Sequence, residues 1–457
     1  MIDYVTVVGG GLAGSEVCYQ LAKNGIKVKL YEQKPNNFSP AHNKSELAEI
    51  VCSNSFKSNL HTNACGLLKE ELRILGSLLI NVADNVAVPA GQALAVDRDR
   101  FSKTVTGELE KMNNIEIVRK EVGYNCKIKL KQLIKNGIVV IATGPLTSDE
   151  LSKEIEEIIE EDKLHFYDAA APIILKDSIN TNIAFKGNRY EQERKKDENI
   201  ENWMKRIKNQ EESYINLPMN SDEYECFYKE LINAEVVNLH EFEKREIFEG
   251  CMPIELMAKR GIDTLRFGPL KPVGFTDLRT GKRPYAVVQL RQDNKEGTLF
   301  NMVGFQTNLK YGEQKRVFKL IPGLENAEFM KYGVMHRNTF INSPKLLDNT
   351  YNLKKNNNIY FAGQITGVEG YVESIASGMV VAKNIIAKIK RKEKIEFPRE
   401  TIIGALANYI SSENDNFQPM NANFGILPEL DEKIRDKKMK NEKLGDRAIE
   451  TLHEVEK

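Results

Sequence analysis

The sequence predicts an α/β fold: a parallel-sheet, nucleotide-binding domain assembled from both ends of the chain, interrupted by an inserted α+β domain. Three observations predict it. Residues 1–32 read as strand, glycine turn, helix and strand. The stretch from Asn358 to Lys388 repeats that design. Between them, residues from about Phe166 to Gly304 lack the strand–glycine–helix rhythm.

Tyr4 to Val8 is a short, β-branched apolar run of the kind buried in a parallel sheet. It leads into Gly9-Gly10-Gly11-Leu12-Ala13-Gly14, where Gly9, Gly11 and Gly14 fit G-x-G-x-x-G. Ser15 to Lys23 reads as a helix, Asn24-Gly25 ends it, and Ile26 to Tyr31 alternates as a second strand finishing in Glu32. One glycine turns the chain, one admits a pyrophosphate to the backbone, and one lets helix and strand pack closely. The helix N-terminus offers unpaired N–H groups and a positive dipole end to the phosphates. Glu32 can accept hydrogen bonds from a ribose. A lone G-x-G-x-x-G is a weak signal, and its competing reading is a glycine-rich turn in an ordinary α/β protein. Here the strand before, the helix after and the acid about twenty residues on supply the confirming context. The unit is therefore expected to be Rossmann-like, with Gly9, Gly10, Gly11, Leu12, Ala13, Gly14 and Glu32 in contact with a dinucleotide.

After Glu32 a polar loop is expected, then a short helix over Ser45 to Val51 and a small-residue polar stretch, Cys52-Ser53-Asn54-Ser55. Ala64 to Leu79 has Leu67, Leu68, Leu72 and Leu75 at helical spacing. Ala93 to Val96 reads as a strand, Asp97 to Met112 as an amphipathic helix capped by Asp97, and Ile115 to Val118 as a strand. Gly137 to Gly144 is an apolar strand ending in Ala142-Thr143-Gly144. Two-dinucleotide flavoproteins place such a strand where the chain crosses beside the cofactor; the alternative is a core strand ending in a glycine turn. Leu151 to Asp162 is an acidic helix with a solvated face. Within the insertion, Glu191 to Glu212 is a Lys-rich, mixed-charge surface helix.

Near the end, Asn358 to Gln364 is strand-like and passes through Gly363 and Gln364 into the tight loop Gly367–Gly370 and a long helix from Tyr371 to Lys388. The predicted division is 1–165 for the first part of the cofactor domain, 166–304 for the insertion, 305–395 for its second part, and 396–457 for a helical tail. Basic runs at Ala387–Lys394 and Lys433–Arg447 read first as solvated helix surface and second as RNA contacts.

Bulk composition narrows the function classes. With 41% apolar and 28% charged residues the chain is an ordinary globular protein. Its 65 basic and 65 acidic residues cancel, so any nucleic-acid site must be a local basic patch. No stretch approaches the apolar length of a membrane span, and Met1 leads directly into the first strand, so neither a membrane anchor nor a signal peptide is expected. Cysteines 18, 52, 65, 126, 226 and 251 are scattered without CxxC or metal spacing, which points to reduced thiols in the cytoplasm and no metal site.

Several long strings then coincide with a known pattern. They include Val51-Cys52-Ser53-Asn54-Ser55, Leu94-Ala95-Val96-Asp97-Arg98-Asp99 and Ala142-Thr143-Gly144-Pro145-Leu146-Thr147-Ser148. Further strings are Tyr167 to Pro172, Phe248-Glu249-Gly250-Cys251-Met252-Pro253, Phe305-Gln306-Thr307-Asn308-Leu309-Lys310, Val334 to Thr339 and Ala362 to Tyr371. Nearly end to end, the sequence resembles the folate- and FAD-dependent RNA uracil-C5 methyltransferases, the TrmFO-like family. It departs from the family at Leu217, where Asn-Cys-Pro-Met is usual, at Tyr311, where Trp is common, and in a longer Lys-rich segment at 191–212.

The resemblance implies a discontinuous Rossmann-like FAD-binding domain of glutathione-reductase type with an inserted α+β domain. It implies FAD as cofactor, 5,10-methylenetetrahydrofolate as carbon donor and NADH or NADPH as reductant. The implied product is 5-methyluridine in RNA, first of all in the tRNA T loop, with a 23S rRNA uridine as the alternative target. Uracil C5 becomes carbanion-like only after C6 is attacked, and a cysteine thiolate suits that attack. Cys251, between Gly250 and Pro253, is the expected nucleophile, although a free Cys is more commonly a core residue. Cys52 is the second catalytic candidate, as proton acceptor at C5 or as redox-sensitive partner. Ala142, Thr143, Gly144, Gly363 and Gln364 join the cofactor contacts. The target base must leave its stack to react. Two rival readings are a generic flavin oxidoreductase, which no CxxC supports, and a GidA-like flavoprotein acting with a partner in tRNA wobble modification.

Overall fold

The computed structural model describes residues 4–161, 164–189, 198–208, 214–237, 252–277, 280–415, 417–432 and 434–455. A six-stranded sheet carries the first core. Its order is Asn352–Leu353, Asn356–Phe361, Val139–Ile141, Val5–Val8, Val28–Glu32 and Ile115–Arg119. All neighbours pair in parallel except the outermost pair, Asn352–Leu353 with Asn356–Phe361. The central strand Val5–Val8 is wholly buried, as its unbroken apolar run requires. Two strands of this sheet, Asn352–Leu353 and Asn356–Phe361, come from the far end of the chain, so the sheet is discontinuous in sequence, as expected.

Helix Leu12–Lys23 packs on helix Tyr371–Ile389 at very short range. A Cβ at Gly378 would stand 2.6 Å from the Ala13 carbonyl oxygen, so only glycine permits this approach. The two nucleotide-type helices, one from each end of the sequence, thus lie against each other above the same sheet.

A second, antiparallel six-stranded sheet has the order Phe185–Lys186, Ile215–Met219, Ala286–Gln292, Leu299–Met302, Ile173–Leu175 and Phe329–Lys331. It carries its own apolar core, including Phe227, Phe305 and Phe318. A two-stranded ribbon, Leu164–Ala169 with Met335–Phe340, runs along the chain crossings into and out of this part. A small sheet of Ser55–Ser58, Ala93–Val96 and Ala87–Val88 completes the strands.

Some local expectations changed. Ser45 to Val51 is not helical. Its amides are taken elsewhere: Leu47 N–H donates to Thr106 Oγ1 and Ala48 N–H to the Gly10 carbonyl, and Ala48 has φ +50°. Ala64 to Leu79 is two helices, Ala64–Ile74 and Leu78–Asn85, because Gly76 at φ +73° breaks the first and the Ser77 side chain caps the second. The acidic helix runs Asp149–Ile159 instead of Leu151 to Asp162; Lys153 and Glu157 lie on its exposed face, and Leu151, Ile155 and Ile159 are buried on the other. In the Lys-rich segment, helix Ile200–Lys208 is present, while 190–197 and 209–213 lie outside the described residues.

Candidate active site

A cleft opens at the carboxyl ends of the parallel strands, where open α/β sheets bind ligands. Gly9, Gly10, Gly11, Leu12, Ala13, Glu32, Ala142, Thr143, Gly144, Gly363 and Gln364 all line it. Residues far apart in sequence are brought together because their strands are neighbours in the sheet. Gly14 does not line the cleft; it lies beneath it. A Cβ there would sit 1.9 Å from the Gly9 carbonyl oxygen. Gly9 itself has φ +99°, and a Cβ on it would meet the Ala142 carbonyl oxygen at 2.5 Å.

Glu32 has a second task that the sequence pattern did not reveal. Its carboxylate accepts the Gly10 N–H at 2.8 Å and the Lys34 N–H at 2.9 Å. It therefore ties the glycine loop to the end of its own strand, with lone pairs remaining for a ligand. Lys34 pairs with Glu49 at 3.1 Å, and both side chains are buried. His42 lines the same end of the cleft and shares a hydrogen bond with Ser39 Oγ at 2.5 Å. Burial, then the Lys34 ammonium, depress the His42 pKa below the usual imidazole range. Lys34 and His42 carried no motif and were missed in sequence.

At the other end, Tyr371 opens its helix and lines the cleft. Its hydroxyl oxygen accepts the backbone N–H groups of Cys52 and Ser53, each at 3.0 Å. Burial raises the Tyr371 pKa well above the phenol range, so the hydroxyl stays protonated. The Cys52 thiol is half-buried and donates to the Ala169 carbonyl at 3.7 Å. Cys52 thus sits beside the cleft wall, next to the cleft residue Val51.

Cations gather behind this loop. Arg98 donates to the Val51 carbonyl at 3.2 Å and pairs with Asp293 at 3.0 Å. Lys331 Nζ donates to the same Val51 carbonyl at 3.3 Å, its pKa lowered by burial and then by Arg98. Arg291 donates to Asn54 Oδ1 at 2.9 Å and to Ser53 Oγ at 2.6 Å. The long string Val51–Ser55 is therefore a loop fastened from three sides.

Cys251 lies outside the described residues, as does Lys433 of the C-terminal basic run. The chain on either side of the Cys251 segment is held to one place. Val237 N–H donates to the Asn308 carbonyl at 2.9 Å, and Ile254 N–H to the Gln306 carbonyl at 2.7 Å. Buried Glu255 accepts the Thr307 hydroxyl and the Asn308 N–H, each at 2.8 Å. The Phe305–Lys310 string braces both flanks. Among the described residues no group of His, Cys, Asp and Glu could hold a metal ion, and no helix is long and apolar enough to cross a membrane.

The comparisons with known proteins extend over the whole chain. The model of the family described as glucose inhibited division protein A matches residues 4–393. The chain is 56% identical over 455 residues to "Methylenetetrahydrofolate--tRNA-(uracil-5-)-methyltransferase TrmFO" of Acetivibrio thermocellus, covering 99% of each chain. It is 57% identical over 448 residues to the protein of the same name from Fusobacterium nucleatum, covering 98% of each. Among solved structures, Aquifex aeolicus GidA aligns with a TM-score of 0.67 at 17% identity, over 100% of this chain and 74% of that one. That last likeness establishes the fold. The family model spans most of the chain and the relatives named TrmFO match it from end to end at more than half of the residues, so the chain belongs to the family of glucose inhibited division protein A, among its TrmFO members.

Proposed function

We infer that this protein methylates uracil C5 in tRNA, using 5,10-methylenetetrahydrofolate as carbon donor. The observation that carries the inference is the end-to-end identity with relatives named for that activity, 56% over 99% of both chains in one case. GidA, the partner-dependent rival, stands at 17% identity and shares the fold. The 23S rRNA reading has no such support, and the generic oxidoreductase reading accounts for none of the long shared strings.

FAD fits the cleft. The glycine loop is bare because a Cβ at Gly9 or Gly14 would strike backbone, and a bare loop at a helix N-terminus suits a pyrophosphate. Gly9 to Ala13, Glu32, Ala142 to Gly144, Gly363 and Gln364 would hold it, with Gly14 supporting from below. Bound FAD supplies the redox and one-carbon chemistry, with NADH or NADPH as reductant. The chain's own residues prepare the base. Cys251 is the nucleophile for C6, and its thiolate leaves again after transfer. Cys52 accepts the C5 proton or acts as a redox-sensitive partner; the cations behind residues 50–54 suit work beside a sulfur anion. The division at 165, 304 and 395, and a cytoplasmic location, belong to the same reading.

The test is direct. The purified protein should be yellow and release FAD on denaturation. Incubated with methylenetetrahydrofolate and NADPH, it should form 5-methyluridine in unmodified tRNA and not in ribosomal RNA. Product in ribosomal RNA alone would transfer the activity to the alternative target; colourless, flavin-free protein would reject the flavoenzyme.

A further inference from the structure

Three aromatic rings stack in a column at the edge of the antiparallel sheet. Tyr311 lies on Tyr332 with centroids 5.0 Å apart and planes 21° apart. Tyr332 lies on Phe329 at 5.4 Å and 14°. Phe329 meets Phe318, which packs edge-on against Phe305 in the buried core. The column is rigid at its root and open at its tip, where Tyr311 is 57% exposed. A flat ring held from behind and wetted in front is a surface on which another flat ring can stack.

Its place in the fold ties it to the active site. Tyr332 follows Lys331, whose ammonium rests on the Val51 carbonyl beside Cys52. Two residues further on, the Val334 carbonyl accepts the Ala170 N–H, and the neighbouring Ala169 carbonyl receives the Cys52 thiol. Tyr311 itself directly follows the 306–310 stretch that braces Val237 and Ile254. Yet Tyr311 is not among the residues lining the cleft, so a small ligand in that cleft would not meet it. One helical turn beyond Tyr311, on the same face, Lys315 is exposed and in no ion pair among the described residues, whereas Lys310 and Arg316 are paired with Glu235, Glu230 and Glu313.

We propose that Tyr311, backed by Tyr332 and Phe329, is a stacking platform for an unpaired base of the RNA next to the target uridine, with Lys315 meeting the adjoining phosphate. The proposal rests on the RNA reading given above. Extruding one base from a folded loop leaves its neighbours without a stacking partner, and an exposed aromatic ring can replace that partner.

The test uses full-length protein carrying Tyr311→Leu, Tyr311→Phe or Tyr311→Trp, with tRNA as ligand. Tyr311→Leu should weaken tRNA binding and raise the KM for tRNA about ten-fold. Phe and Trp should stay within about two-fold of the parent. Flavin content, NADPH-driven flavin reduction without RNA and the KM for methylenetetrahydrofolate should not move. Lys315→Ala should lower the slope of log affinity against log salt by about one. Unchanged tRNA affinity in Tyr311→Leu, or a loss confined to the folate KM, overturns the platform. A parent enzyme that makes no 5-methyluridine in tRNA sinks the underlying reading instead; an active parent matched by Tyr311→Leu sinks the platform alone.

Discussion

The Tyr371 hydroxyl oxygen accepts the backbone N–H of Cys52 at 3.0 Å, joining residues 319 apart in sequence. The same oxygen takes the Ser53 N–H at 3.0 Å. One phenol therefore fixes the peptide that carries a candidate catalytic thiol, and it does so from the first residue of the helix that faces the cleft. Removing that oxygen leaves two amides without their acceptor. Tyr371→Phe should cost about 1–3 kcal/mol of stability. In hydrogen exchange the Cys52 and Ser53 amides should be the ones that speed up. Unchanged protection at both positions would show that the loop is held by its arginines alone.

Gly14 tests the glycine loop more severely than Gly11. A Cβ at Gly14 would overlap the Gly9 carbonyl, whereas one at Gly11 would meet nothing within 4 Å. Gly14→Ala should therefore lose flavin, seen as lost visible absorbance, and melt at a lower temperature. Gly11→Ala should fold normally, and any loss of flavin there would report contact with the ligand itself. Equal behaviour of the two variants would contradict this packing.

Glu32 holds two N–H groups with its two oxygens. A carboxamide has one oxygen, so in Glu32→Gln the amide NH2 must face one of those donors. The variant should bind FAD about ten-fold or more weakly, in the range expected for a charged hydrogen bond. Reconstitution of the flavin-free protein, followed by quenching of FAD fluorescence, measures it. Parent-like affinity would mean that the carboxylate is dispensable to the loop.

Cysteine reactivity gives a pH-dependent check. Burial, then the Glu373 carboxylate, push the Cys65 thiol up to about 11. An acid with a raised pKa keeps its proton to higher pH, so at pH 8 roughly one Cys65 in a thousand is thiolate. Cys226 is exposed. Iodoacetamide at pH 8 should label Cys226 readily, leave Cys65 and buried Cys18 untouched, and reach Cys65 only as the pH approaches 11 or the protein unfolds. Mass mapping that finds Cys65 labelled early in folded protein would refute its burial.

Cys251 is tested by activity. Cys251→Ala should abolish methyl transfer while the protein keeps its flavin and its visible spectrum. Retained formation of 5-methyluridine would remove it as nucleophile and leave Cys52 to be examined in that role.

Much of this protein was legible from local chemistry. The Val5–Val8 run could only be a buried parallel strand, and the glycine spacing that follows could serve a phosphate loop because both signals lie within a few residues. The repeated design near Gly363 was visible for the same reason. The expected helix over Ser45–Val51 failed because its amides bind Thr106 and Gly10, partners that no local pattern announces. Ala64–Leu79 split in two because Gly76 adopts a left-handed turn inside an otherwise helical spacing.

By itself the sequence determined the nucleotide-binding architecture, the family resemblance and the glycine segments of the cleft, since each rests on residues close together along the chain; it did not single out Lys34 or His42 as cleft residues. Tertiary structure alone decided that Glu32 fastens the glycine loop, that Tyr371 and Arg291 grip the Cys52 loop, and that Tyr311 tops an aromatic column. Those relations join residues tens to hundreds of positions apart, and hydrogen bonds and ring contacts across such separations exist only once the two sheets have fixed where each loop ends.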